Sequence, residues 1–321
     1  MSSHAANAEP ASRFVDGIGD WVFRNIVAIA GWFVLITLAL AAFSMYWGGR
    51  EAFGEFGWGF LTSTEWDPVQ EKYGAAVAIY GTLVTTAIAM IIAVPVSFGI
   101  ALFLTEVAPA WIRQPLGAAI ELLAGIPSII YGMWGLFVLA PILGNYVYPW
   151  IDENIGPWPI LGVLFRGPPL GIGMLTAGIV LAIMVIPFIS SVMREVFLTV
   201  PSRLKESAYA LGSTTTEVVW DIVLPYTRSA VIGGIFLGMG RALGETMAVT
   251  FVLGNAHRIS ASLLDPGNSI AASIANEFAE ATTPMYQSAL LALGFLLFVV
   301  TFIVLSIAKL MLMQLKKREG Y

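Results

Sequence analysis

Two ionisable residues stand where this chain can least accommodate charge. Arg241 and Glu245 lie in the apolar segment 230–254, four residues apart and so on one helix face. Inserting one such charge near mid-membrane costs about 2.5–3.5 kcal/mol on translocon scales. An i,i+4 ion pair on a helix in water returns only about 0.2–0.5 kcal/mol. A salt bridge serving only to neutralise two charges remains open, but an ion pathway is the better account. Arg offers a planar fork that matches oxyanions bidentately and stays charged at any working pH. A neighbouring carboxylate repels a fully deprotonated anion yet accepts a hydrogen bond from one that keeps a proton. Phosphate keeps a proton near neutral pH and sulfate does not, which tilts the chemistry towards phosphate. Gly234 and Gly238 fall on the same stripe; with Gly240 and Gly244 they form Gly-x-x-x-Gly pairs that let helices approach closely.

The elements that position these charges are those of a membrane protein. Of 321 residues, 58% are hydrophobic and 12% charged, with mean hydropathy +0.81. Soluble domains run at roughly 45–50% apolar and 25% charged. Six apolar segments, roughly 25–47, 76–106, 117–143, 171–193, 230–254 and 287–313, approach or exceed the about 20 residues that cross a hydrocarbon core. The first has a cleavage-like Ala39-Leu40-Ala41, but its apolar run exceeds the roughly 7–15 residues of a signal peptide, so a retained helix is expected. With no cysteine and only His4 and His257, disulfides, thiolate sites and histidine metal clusters are excluded, and no basic patch of a nucleic-acid binder occurs.

Lys and Arg set the orientation. With the N-terminus inside, eleven fall in inner segments and four in outer loops (Arg50, Lys72, Arg166, Arg258). The expected organisation is a cytoplasmic tail at 1–24, a membrane domain at 25–315 with a cytoplasmic loop at 194–229, and a cytoplasmic tail at 316–321. Glu106 and Glu121 then bracket an inner loop and read as interfacial. The outer loop 48–75 is acidic and aromatic, and most of its rings read as an interfacial belt rather than a docking surface. Pro95 and Pro187 read as packing kinks, while a kink at Gly125-Ile126-Pro127-Ser128 could help shape a pathway.

The loop 194–229 carries its own pattern. Pro201 suits a first helical turn, Leu204, Ala208 and Leu211 recur on one apolar face, and Gly212 suits a left-handed helix end. Thr214-Thr215-Thr216-Glu217 has capping-box spacing, and Pro225 is expected to interrupt the second helix near Leu224. Two short helices joined by a sharp turn are predicted. The full spacing, Glu206-x-Ala208-x-x-x-Gly212, nine residues, then Ile222-x-Leu224-Pro225, resembles the cytoplasmic loop by which ABC-importer permeases dock onto their ATPases. Ser207 departs from the usual Ala. No Gly-x-x-x-x-Gly-Lys-Ser/Thr occurs, and none of the five lysines follows a glycine, so any ATP hydrolysis must occur on another polypeptide.

Further stretches resemble the C-type permease subunits of phosphate-specific ABC importers: residues 79–85, Val94 to Glu106, Ile126 to Gly135, Gly240 to Gly254, and Asn276 to Glu280. The resemblance covers nearly everything after residue 25. It implies an all-α bacterial inner-membrane protein of about six transmembrane helices and no enzymatic activity of its own. Expected partners are an A-type permease, two copies of a cytoplasmic ATPase using ATP and Mg, an extracytoplasmic phosphate-binding protein and the lipid bilayer. It places Arg241 and Glu245 on the substrate pathway, and Glu206, Ala208, Gly212, Ile222, Leu224 and Pro225 at the ATPase coupling surface. A permease for sulfate or molybdate is the runner-up. A secondary transporter would leave the coupling loop unexplained, and no nucleophile–base or His-Glu-x-x-His constellation suggests an enzyme.

Overall fold

A computed structural model describes residues 10–159 and 161–318. Six helical stretches are long and apolar enough to cross a membrane: 19–48, 76–107, 128–154, 174–198, 215–243 and 284–314. In chain order, α1 (Pro10–Gly48) turns through α2 (Arg50–Phe56), α3 (Gly59–Thr62) and a small hairpin, β1 (Trp66–Asp67) and β2 (Lys72–Tyr73), into α4 (Ala76–Leu102). A π-helical turn, Phe103–Val107, ends α4 and leads to α5 (Ala110–Ala124). The third crossing starts with α6 (Ser128–Trp134) and runs, through π turns, by α7 (Ala140–Ile142) to α8 (Tyr148–Asn154). After α9 (Leu161–Phe165) come α10 (Met174–Leu198), α11 (Ser202–Ala210), α12 (Thr215–Val218) and α13 (Leu224–Leu243). Then follow α14 (Met247–Leu253), α15 (Ile270–Glu277) and α16 (Pro284–Arg318).

α10 is the centre of the molecule and the most enclosed of the six spans. Ala177, Leu181, Val185, Ile189 and Met193 are fully buried, and Ala89 and Ala93 of α4 bury against the same cluster. Small residues allow this closeness. A Cβ on Gly178 would meet Ile88 of α4 at 2.5 Å, and one on Gly238 of α13 would meet Ile189 at 2.5 Å. The Ser97 hydroxyl of α4 donates to the Ile186 carbonyl of α10 at 3.1 Å.

A second cluster lies at the hairpin end, where Phe60, Tyr73, Tyr286 and Leu290 pack between the first loop and α16. Ser288 joins α1 and α2 to this cluster, accepting from the Ala52 amide and donating to the Gly48 carbonyl. The aromatic loop therefore serves largely as a packed cap. Phe60 is wholly buried, and only rings such as Trp58, 85% exposed, suit the expected belt.

Several boundaries differ from the sequence expectation. Residues 10–24 are helical and continuous with the first span. The third segment, expected at 117–143, is two helices, because the turn at Gly125–Pro127 separates α5 from α6 rather than merely kinking one helix. A proline biases its predecessor away from helical geometry, and Gly125 precedes that pair with little preference for helix. The fifth segment, expected at 230–254, begins as a helix at Thr215 and breaks after Leu243. Pro225 does not interrupt it. The wide π-helical turn Val219–Val223 stands directly before the proline and makes room for a ring that lacks the N–H of a normal helical residue. Pro95 and Pro187 do lie inside intact helices.

Gly81 of α4 supports the least tolerant approach, since a Cβ there would stand 1.9 Å from the backbone oxygen of Asn268. Gly81→Ala is expected to destabilise the protein by about 1–3 kcal/mol, as overpacking against an unyielding neighbour does. Gly54→Ala, with nothing within 4 Å, is the matched control. Thermal unfolding in detergent should show a lowered transition for Gly81→Ala alone.

Candidate functional site

α13 carries Arg241 in its last turn, where a cation complements the negative end of the helix. Gly234 and Gly238 are buried against Val192, Ile189 and Val185 of α10. That close packing brings the Arg241 guanidinium over the Phe188 ring, 5.6 Å from its centroid. Phe188 lies roughly 21 Å along α10 from Met174 and roughly 15 Å from Leu198 at 1.5 Å per residue. The guanidinium thus sits beside the middle portion of the membrane-spanning α10. It is exposed on the open face of the chain and close enough to Tyr131 of α6 to act on its hydroxyl electrostatically.

Glu245 is not on the helix with Arg241. The helix ends at Leu243, and Glu245 belongs to the break 244–246, where its carboxylate accepts from the Ala248 amide at 3.2 Å. Among the described residues no ion pair joins it to Arg241. Arg241 and Glu245 are neighbours around a helix break, not partners along one face. Glycine has low helix preference and the glutamate offers an alternative acceptor for the next helix, which is why the chain can break here. The start of α14, just after the break, packs on α6: a Cβ on Gly132 would lie 2.8 Å from the Met247 carbonyl oxygen and 3.1 Å from the Ala248 Cα. Two discontinuities, at 125–127 and 244–246, therefore flank the same region. Sequence reading missed Tyr131 and Phe188, because nothing along the chain relates either to Arg241.

At the opposite end of α13 the predicted turn is present. The Ser213 amide donates to the Ala208 carbonyl and the Gly212 amide to the Tyr209 carbonyl, with Gly212 at φ +93°, a Schellman ending for α11. The capping box closes α12: the Thr214 amide donates to the Glu217 carboxylate at 2.7 Å and the Glu217 amide donates to the Thr214 hydroxyl. Ala208, Ile222 and Leu224 pack on the core around α10, while Glu206, Gly212 and Pro225 are exposed. The expected single apolar face of α11 is thus divided. Ala208 turns inward, and Leu204, Tyr209 and Leu211 remain 44%, 42% and 88% exposed. Glu106 and Glu121, expected to be merely interfacial, both pair across this end: Lys205 Nζ lies 2.5 Å from Glu106 Oε1, and Arg194 Nη1 3.0 Å from Glu121 Oε1.

The far end holds a group the sequence did not flag as a site. Glu277 Oε2 accepts from Trp66 Nε1 at 2.6 Å and from the Tyr286 hydroxyl at 2.7 Å, and Oε1 lies 3.1 Å from His257 Nε2. The His257 ring stacks on Trp66 and its Nε2 is 3.0 Å from the Asn268 amide nitrogen. Burial acts to raise the Glu277 pKa, but hydrogen bonds from His257, Tyr286 and Trp66 outweigh it and hold the carboxyl below its ordinary value of 4.5. A depressed folded pKa stabilises above the ordinary value, and that stabilisation is lost as pH falls through the folded one. Acidification below 4.5 should therefore loosen the hairpin from α15 and α16. Amide hydrogen exchange across 64–75 and 255–280 should rise with acid in the native chain, and Glu277→Gln should flatten that dependence.

Residues 93–315 match the family described as the binding-protein-dependent transport system inner membrane component. A phosphate transport system permease protein PstC of Xylella fastidiosa (strain 9a5c) is 67% identical over 305 residues, covering 95% of this chain and 94% of that protein. The protein of the same name from Pasteurella multocida (strain Pm70) is 56% identical over 301 residues, covering 94% of each. Among solved structures, a bacterial ABC transporter involved in the import of the acidic polysaccharide alginate superposes with a TM-score of 0.60 at 16% identity, over 94% of this chain and 99% of that one. That likeness bears on the fold, which is an importer-permease arrangement of six membrane-crossing helices. The chain is a multi-pass membrane protein that belongs to the binding-protein-dependent transport system inner membrane component family.

Proposed function

We propose that this chain is the pore-forming permease subunit of an ATP-driven importer that carries inorganic phosphate across the bacterial inner membrane. The observation that carries the phosphate assignment is the 67% identity, along 95% of the chain, to a relative named for phosphate transport. The geometry contributes the guanidinium of Arg241. It lies at the depth of Phe188, on an open face, with no carboxylate partner among the described residues. Such a charge is costly against lipid, so the face belongs against protein or a watery path. The bidentate fork suits a phosphate oxyanion there. The helix breaks on either side fit transporter sites, where discontinuous helices line the pathway.

An A-type permease covers that face and completes the pore. The exposed Leu204 and Tyr209 of α11, with Leu211 at its C-cap, dock on one of two ATPase subunits, which bind ATP and Mg and close on hydrolysis-competent nucleotide. Glu206, Gly212 and Pro225 border that contact, while Ala208, Ile222 and Leu224 fasten the loop to the body. The bias of Lys and Arg supports a cytoplasmic position for α11 and both termini. The hairpin end then faces the phosphate-binding protein, which delivers the anion, so an acidic outer loop does not oppose capture.

Labelled phosphate uptake at low external phosphate, in cells lacking the protein, tests this reading. The native chain should restore uptake. Arg241→Gln, assembled with its partners, should lower it about tenfold or more, equivalent to about 1.4 kcal/mol. Restoration of sulfate or molybdate uptake instead of phosphate would overturn the anion assignment. Leu211→Asp tests the docking face. Burying a leucine contributes about 1.5–3 kcal/mol, so this change should remove the ATPase from pull-downs of the permease.

A further inference from the structure

We propose that the Lys205–Glu106 ion pair is the mechanical link through which α11 moves the second span. The inference rests on the importer reading above and concerns how motion reaches the pore. α11 buries none of its residues, so packing alone fastens it weakly. The chain joins it directly to α10 through 199–201 and to α12 through 211–214. The second span, α4 with its closing π turn, has no such connection. Its only ion pair with α11, among the described residues, is Glu106 with Lys205, across 99 positions of sequence.

The pair is well enclosed. The side chain of Glu106 is 5% exposed and that of Lys205 17%. Exposed ion pairs contribute little because solvent screens them, whereas an enclosed carboxylate left without its cation is strongly unfavourable. The two groups therefore stay together when α11 shifts. Glu106 lies in the π-helical turn Phe103–Val107, a distortion that often marks functional positions, and its neighbours Leu104 and Thr105 are buried in the body. Ala208, one turn beyond Lys205, packs against the core cluster that includes Ala93 and Ala101 of α4. A pull on α11 is thus transmitted to α4 at Glu106 and a push at Ala208. Lys205 and Glu106 act as positioning residues and touch neither nucleotide nor anion.

The absence of cysteine from the chain allows a direct test. Glu106→Cys/Lys205→Cys would be assembled with the partner permease, the ATPase and the binding protein in proteoliposomes, with partner thiols blocked. Before bridging, phosphate carried per ATP hydrolysed should fall about tenfold, within the range expected for loss of a coupling contact. Stimulation of hydrolysis by the binding protein should disappear, while unstimulated hydrolysis and assembly persist. A short bifunctional thiosulfonate that joins the two thiols should restore both readouts. Native stoichiometry in the unbridged variant overturns the proposal, as does a bridge confirmed by mass that restores neither. If the cysteine variant does not assemble, Glu106→Lys/Lys205→Glu replaces it. Recovery of coupling relative to either single reversal supports the link, and no recovery overturns it. A native complex that responds to the binding protein but carries no phosphate overturns the anion assignment alone, and stimulation of hydrolysis then decides the link.

Discussion

The close approach of α4 and α13 to α10 governs the rest of this structure. Without a hydrophobic driving force between helices in lipid, association depends on van der Waals fit and a few interhelical hydrogen bonds. Gly178 and Gly238 remove the side chains that would hold those helices apart. The Ser97–Ile186 bond adds a directional contact at the same interface. Interiors packed this densely transmit displacement rather than absorbing it. The Arg241 region and the α11–α12 corner are therefore both referred to this one helix.

That dependence extends from mid-membrane to the α11–α12 end. Phe188 of α10 sits under Arg241, so the position of the charge follows from the α10–α13 spacing. Arg194, near the end of α10, reaches Glu121 of α5, and a Cβ on Gly117 would meet the same guanidinium at 3.1 Å. Ala208, Ile222 and Leu224 bring the α11–α12 corner against the same cluster. The hairpin end is organised separately, around Glu277 and a group of stacked rings. One rigid centre with a charged corner at one end and a hydrogen-bonded cap at the other suits a subunit that relays motion along its length.

The membrane character and the turn at 210–217 were legible because both depend on local chemistry. Twenty apolar residues cross a bilayer wherever they occur, a glycine tolerates positive φ, and a threonine followed three residues later by glutamate closes a capping box. Nothing local marks Glu277 as a site, because its partners Trp66, His257 and Tyr286 come from three separated segments. Glu106 looked interfacial for the same reason, its lysine lying 99 positions away.

The sequence by itself determined six crossings, the bias of positive charge, the coupling-loop pattern and an arginine inside an apolar segment. It could not decide whether Arg241 and Glu245 form a pair. Helical spacing makes them neighbours only if the helix is unbroken, and continuation through Gly244 was locally allowed. The tertiary structure decided that question. Packing of Met247 and Ala248 against Gly132 holds α14 where the carboxylate of Glu245 can cap it, while α10 holds Arg241 over Phe188. The separation of those two charges is a property of helix packing, a non-local balance to which the spacing of residues along a chain is blind.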